Sequence, residues 1–225
     1  QEKISDVDNS ASRLIREQEG TSLTSSLGHS LTYDKRDSRI KPTEGYFILF
    51  GQEVAGLGGD VRYLKHTLTY TYHWPLWSDW VANARIRKGH VVGLGEDVRI
   101  NDRFFLGGSS LRGFEPGGVG PRDRNTSDSL GGNMFYVATA EVTVPLNITK
   151  DFDVDAALFT DLGTLSQVDD SGAEVVDSGD PRASVGFGFA YVSPFGPIRI
   201  DFARAVLKES FDQTENFRFS FGTRF

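Results

Sequence analysis

Residues 63–74 read Tyr63-Leu64-Lys65-His66-Thr67-Leu68-Thr69-Tyr70-Thr71-Tyr72-His73-Trp74. Leu64, His66, Leu68, Tyr70, Tyr72 and Trp74 fall on one side of an extended chain, and Lys65, Thr67, Thr69, Thr71 and His73 on the other. Strict alternation with a period of two is the mark of a strand with one apolar and one polar environment. The same period begins at 21, where Leu23, Leu27, Leu31 and Tyr33 alternate with Thr24, Ser26, Ser30 and Thr32. It returns in 80–87, 134–146, 152–162, 184–191, 198–203 and 217–225, and less cleanly in 46–55. The pattern predicts about nine strands of roughly 9–13 residues, a length suited to tilted membrane strands.

The connections differ in kind. Compact turns are expected at 75–79, 145–150 and 193–196, and long polar connections at 93–131 and 164–182. Short turns on one side and long loops on the other suit an outer-membrane barrel. Trp74, Trp77 and Trp80 cluster at one turn beside Tyr72, and such rings favour the headgroup zone of a bilayer. A soluble β-sandwich also alternates, but its strands are usually shorter. The fold class read from the pattern is therefore an all-β, antiparallel transmembrane β-barrel.

Composition narrows the function. The 225 residues include 25 Gly, 17 Phe, one Met and no Cys, with a net charge of −7. Disulfides and thiolate metal sites are excluded, and an acidic chain is a poor general nucleic-acid binder. No apolar run approaches the ~20 residues of a membrane helix, which leaves strands as the means of crossing. The four histidines show no paired metal spacing, so no metal site is expected. Ser109 and Ser110 lie in no nucleophile elbow, and nothing points to an enzyme or a cofactor. The acidic residues Asp169, Asp170, Glu174 and Asp177 read as a solvated loop. Arg85, Arg87 and Arg199 fall on polar faces, where they line a pore or pair with Asp153, Asp155 and Asp201.

Residues 1–20 are mostly polar; Ala11, Leu14 and Ile15 share a helical face, so 8–18 reads as a short exposed helix or a disordered loop. The chain starts at Gln1 without an initiator Met, as expected of a processed product or a piece of something longer.

One long connection holds Phe104-Phe105-Leu106-Gly107-Gly108, then Leu111-Arg112-Gly113-Phe114, Gly118-Val119-Gly120-Pro121-Arg122 and Leu130-Gly131-Gly132-Asn133. A charged Arg among small and aromatic residues on so long a loop is there to reach something. The series resembles the sixth extracellular loop of BamA-type outer-membrane assembly factors, the surface-antigen superfamily. Tyr33-Asp34-Lys35-Arg36-Asp37 with Pro42-Thr43-Glu44-Gly45, Phe159-Thr160-Asp161-Leu162-Gly163-Thr164, Val192-Ser193-Pro194-Phe195-Gly196-Pro197-Ile198 and the terminal Phe219-Ser220-Phe221-Gly222-Thr223-Arg224-Phe225 resemble further parts of that barrel, in order.

The resemblance implies a sixteen-strand barrel preceded by POTRA domains, of which residues 21–225 supply the C-terminal part and 1–20 the remnant of an extracellular loop. Open edges in lipid are costly, so a fragment is favoured over an unexpected small closed barrel. The resemblance also implies location in the bacterial outer membrane, and partners in the lipid bilayer, nascent β-barrel clients and accessory lipoproteins. In family terms Arg112 pairs with Glu141 and Asp161 across the lumen, Gly113 lets the backbone pass near the wall, and Phe114 packs beside it. Phe219, Phe221, Gly222 and Phe225 would form an assembly signal and a weak seam, opened by an incoming strand through β-augmentation. The alternative in the same superfamily is a secretion pore for an unfolded partner.

Overall fold

A computed structural model describes residues 2–77, 79–146, 154–170, 172–193 and 196–222. The elements are β1 (Glu2–Ile4), α1 (Arg13–Arg16), β2 (Gly20–Ser22), β3 (Thr24–Asp34), β4 (Gly45–Gly59), β5 (Tyr63–Pro75), β6 (Val81–Gly93), a 3-10 turn (Ile100–Asp102), β7 (Arg122–Asp123), β8 (Met134–Pro145), β9 (Val154–Ser166), β10 (Val175–Val176), β11 (Arg182–Ser193), β12 (Gly196–Leu207) and β13 (Phe217–Phe221). Nine of the strands form one sheet in the order β13-β12-β11-β9-β8-β6-β5-β4-β3. Each pairs antiparallel with its neighbour.

The apolar side of the sheet is its exposed side. Leu27, Leu31, Leu158, Val185, Phe187, Phe217, Phe219 and Phe221 all stand open, with Leu31 67% exposed. A sandwich would bury that side against a second sheet; an apolar surface of this extent marks a lipid contact instead. The buried side chains lie on the opposite, polar side, where the long connection between β6 and β8 packs down. Its Leu106, Leu111, Phe114 and Val119 form a core with Val137 of β8 and Leu165 of β9. At roughly 1.5–3 kcal/mol for each fully buried large apolar side chain, this core holds the loop to the sheet without any charge.

The polar face also makes room for that loop. A Cβ on Gly89 of β6 would fall 2.3 Å from the Phe135 ring and 2.7 Å from that of Phe104. Those two rings meet edge to face, with centroids 4.8 Å apart.

Several boundaries differ from expectation. The helix covers only Arg13–Arg16 rather than 8–18, and β1 pairs with β2 around it. A four-residue helix is marginal alone; this one is fixed by Ser12, whose hydroxyl donates to Asp123 at 2.6 Å and accepts from the Leu14 amide. β4 runs to Gly59, β6 to Gly93, and β13 stops at Phe221. The connections also depart from the simple rule of short turns at one end. β4 and β5 are joined tightly by residues 60–62 at the end that carries the long loops, whereas residues 35–44 form a longer connection at the turn end. Parts of the expected turns at 145–150 and 193–196, and Phe225 itself, lie outside the described residues.

Candidate functional site

Arg112 lies on the polar face of the sheet, 7% exposed. Its Nε and Nη2 donate to the two oxygens of Asp161, both at 2.8 Å, and its backbone N–H donates to Asp161 Oδ2 at 3.2 Å. Nη1 donates to Glu141 Oε2 at 2.7 Å. Such a fork matches a planar guanidinium to a carboxylate in two parallel bonds, the strongest geometry open to a side-chain pair. Asp161 also accepts from Thr139 Oγ1 at 2.8 Å, its register partner on β8.

Strand pleat puts the carboxylates there. Thr139 and Glu141 are two apart on β8, and Phe159 and Asp161 two apart on β9, so all four share the polar face. The Arg112 guanidinium carbon lies 3.3 Å from the centre of the Phe159 ring. That ring is turned inward over Gly186, where a Cβ would come within 2.5 Å of it. Phe159 thus supplies a cation–π floor to the same pair.

A second guanidinium joins from β12. Arg199 Nη2 donates to Glu141 Oε2 at 2.7 Å and Nη1 to Oε1 at 3.2 Å, and Nε donates to Asp201 at 2.9 Å. Of the two roles the sequence left open, Arg199 takes both: it pairs with Asp201 and lines a cavity on the polar face. Asp155 instead meets Lys41 of the 35–44 connection at 3.1 Å, and Asp153 lies outside the described residues. Arg87 donates to the Ser110 carbonyl. Arg85 has no hydrogen bond or ion pair among the described residues. It lines a cavity of about 680 Å³ together with His73, Glu141, Asp161, Arg199 and Asp201.

Two further candidates sit beside the lock. Gly113 has φ +88°, and a Cβ there would lie 3.0 Å from Ser184 Cβ and 3.3 Å from the Ala205 nitrogen of the wall. Only glycine permits both that backbone conformation and that approach. Phe114 is fully buried in the loop core.

The terminal residues are separate from this cluster. Phe219 and Phe221 point outward on β13, which has 5 residues against 12 in β12. Gly222 follows with φ +73°, and its N–H donates to the Pro197 carbonyl at 3.0 Å. The tryptophan turn lies at the opposite end of the sheet from the long loops. Tyr72 and Trp77 are exposed, Tyr72 stacks with Trp74 at 5.6 Å, and Trp80 packs on Trp77 at 5.1 Å while lining the cavity mouth.

One buried charge pair escaped the sequence reading. Arg182 of β11 and Asp212 of the connection between β12 and β13 are both 0% exposed in their side chains. Arg182 Nε and Nη2 donate to the Asp212 oxygens at 2.9 and 3.2 Å. Its Nη1 donates to the carbonyls of Ser178 and Asp180 at 2.8 and 2.7 Å. Arg182 ends the polar connection expected at 164–182, and no spacing connects it to Asp212.

The family model for the Omp85 superfamily domain matches residues 1–225. The outer membrane protein assembly factor BamA of Neorickettsia risticii (strain Illinois) is 37% identical over 220 residues, covering 97% of this chain and 30% of that protein. The sorting and assembly machinery component 50 homolog of Bos taurus is 39% identical over 139 residues, 60% of this chain and 29% of that protein. A crystal structure of BamA from Haemophilus ducreyi lacking POTRA domains 1-3 superposes with a TM-score of 0.77 at 26% identity, over 86% of this chain and 41% of that one. The chain therefore spans less than a third of the length of these two sequence relatives. The family model spans the whole chain, and the chain belongs to the Omp85 superfamily.

Proposed function

We propose that residues 21–225 form the C-terminal part of a bacterial outer-membrane barrel that folds and inserts other β-barrel proteins, with 1–20 part of a preceding extracellular loop. The observation that carries this reading is the terminal strand. β13 is short and is followed by a glycine in a left-handed conformation. A client strand that adds beside such a weakly built strand satisfies its backbone groups before it enters lipid, which lowers the barrier to insertion. Phe219, Phe221 and Gly222 belong to this seam in the proposal.

The pairing of Arg112 with Asp161 and Glu141 fixes the loop over the lumen, with Gly113 and Phe114 allowing its close seat. Tyr72, Trp74, Trp77 and Trp80 anchor the turn end in the bilayer interface. The work is positional and calls for no nucleophile, metal or cofactor. Partners in this reading are the lipid bilayer, the nascent barrels, and POTRA domains and accessory lipoproteins outside this chain. The names of the matched relatives, an assembly factor and a component of assembly machinery, favour assembly over secretion.

Depletion of the full-length protein tests the proposal. Many unrelated outer-membrane barrels should fall together. If instead a single exported partner is lost while other barrels hold their levels, the chain serves a secretion pore.

A further inference from the structure

The connection between β12 and β13 does not stand free above the sheet. Residues 208–216 lean onto the loop that carries Arg112. The Glu115 N–H donates to the Gln213 carbonyl at 3.0 Å, the Gln213 N–H to the Gly118 carbonyl at 2.9 Å, and the Glu215 N–H to the Gly113 carbonyl at 3.2 Å. The fit is close: a Cβ on Gly118 would lie 2.4 Å from the Gln213 carbonyl oxygen. Gly118 lacks a positive φ, so it is the space, and not the backbone conformation, that demands glycine there.

Side chains reinforce the junction from two directions. Asp212 is held by Arg182 of β11 and also accepts from the Glu209 N–H at 2.7 Å. Arg218 of β13 is ion-paired with Glu215, and its guanidinium lies 3.2 Å from the place a Gly108 Cβ would occupy. At the other end of β13 the Gly222 N–H donates to the Pro197 carbonyl at 3.0 Å.

We infer that Arg182 and Asp212 are positioning residues that clamp the loop-side end of β13 to the Arg112 loop. This rests on the proposed assembly function and adds to it which end of the strand is held. A fully buried, bidentate pair is suited to the task, because it breaks as a unit rather than fraying.

Hydrogen exchange on the full-length protein in detergent, without client, tests the clamp. Asp212→Asn, Arg182→Gln and Gly118→Ala weaken the junction from three different elements. Each should raise exchange at the amides of 217–221 on the order of tenfold, with 134–145 and 154–166 unchanged. Asp212→Asn combined with Arg182→Gln should be no faster than either alone, since the two act together. A general rise in every strand would reduce the pair to ordinary stability and overturn the inference, as would slow 217–221 exchange in any folded variant. Should Asp212→Asn not fold, Arg182→Gln carries the test from β11. The two proposals separate cleanly. Failed assembly with slow exchange at 217–221 removes the clamp alone, and fast exchange with normal assembly removes the role given to the seam.

Discussion

Arg112 and Arg182 are buried arginines that each hold a carboxylate through a two-bond fork, and they are engaged in opposite ways. Arg112 shares its charge among Asp161, Glu141 and, at 3.9 Å, Asp201, beside a cavity and with Arg199 close by. Arg182 has one carboxylate, two backbone carbonyls and Thr164, with its side chain sealed from solvent. A shared network keeps charged partners when one member is removed; the sealed pair leaves Asp212 with the Glu209 N–H and no counter-charge. The loop lock is thus built to survive partial loss, and the clamp on the last hairpin is not.

Substitutions can break or sharpen that contrast. The largest effect is expected from Arg182→Met, which leaves Asp212 with the Glu209 N–H but no counter-charge and should weaken the last hairpin locally by about 3–5 kcal/mol. Hydrogen exchange at 217–221 in the full-length protein measures it, and an effect smaller than that of Arg112→Ala on its own loop would reverse the ranking. Arg112→Ala should come next at about 2–3 kcal/mol, because Asp161 keeps Thr139 and Glu141 keeps Arg199. Its strands should stay intact while the loop becomes protease-sensitive and client assembly falls. Normal barrel levels in cells carrying only this variant would deny Arg112 the role given to it. Glu141→Gln should cost less, about 1–2 kcal/mol, since Arg112 keeps its fork on Asp161 and Arg199 keeps Asp201.

The smallest effect belongs to the far end of the sheet. The Thr43 hydroxyl donates to Asp37, as do the amides of Glu44, Thr43 and Ser38, and together they hold its carboxyl well below the usual carboxylate range. The folded value is depressed, so this contribution is present above the ordinary carboxylate range and disappears as pH falls through the depressed value. The 35–44 connection should therefore keep its exchange protection through about pH 4, where free carboxylates titrate, and lose it only below. Asp37→Asn should remove that pH dependence and leave Arg112 and Arg182 untouched.

How much of this was legible follows from where periodicity operates. The strands could be read because a wall between lipid and water forces alternation on every residue. Their ends were less clear: β4 is half-buried on both sides over most of its length, and the alternation is blunted there. The helix was overread because three apolar residues at helical spacing say nothing of the β1–β2 pair on either side. Arg112, Glu141 and Asp161 were found through resemblance, since no spacing links a loop residue to strands 29 and 49 positions away. Phe159 and Arg199 lay on faces already assigned; the strand register places Phe159 beside Glu141, whereas Arg199 stands three strands away and register alone does not bring it there. Arg182 and Asp212 left no such trace. Each lies next to turn-forming polar residues, and their burial is created by the packing of loops.

The seating of Arg112 carries a consequence for how the sheet is checked as it forms. Its carboxylates come from β8 and β9, and a third stands near on β12. A slip of one residue in any of these strands would swing its acid out among acyl chains and bring a neighbour such as Val142, Leu162 or Phe202 in. The guanidinium would then dock with one carboxylate fewer. A mispaired wall holds its cap less firmly, and the strength of docking reports strand alignment.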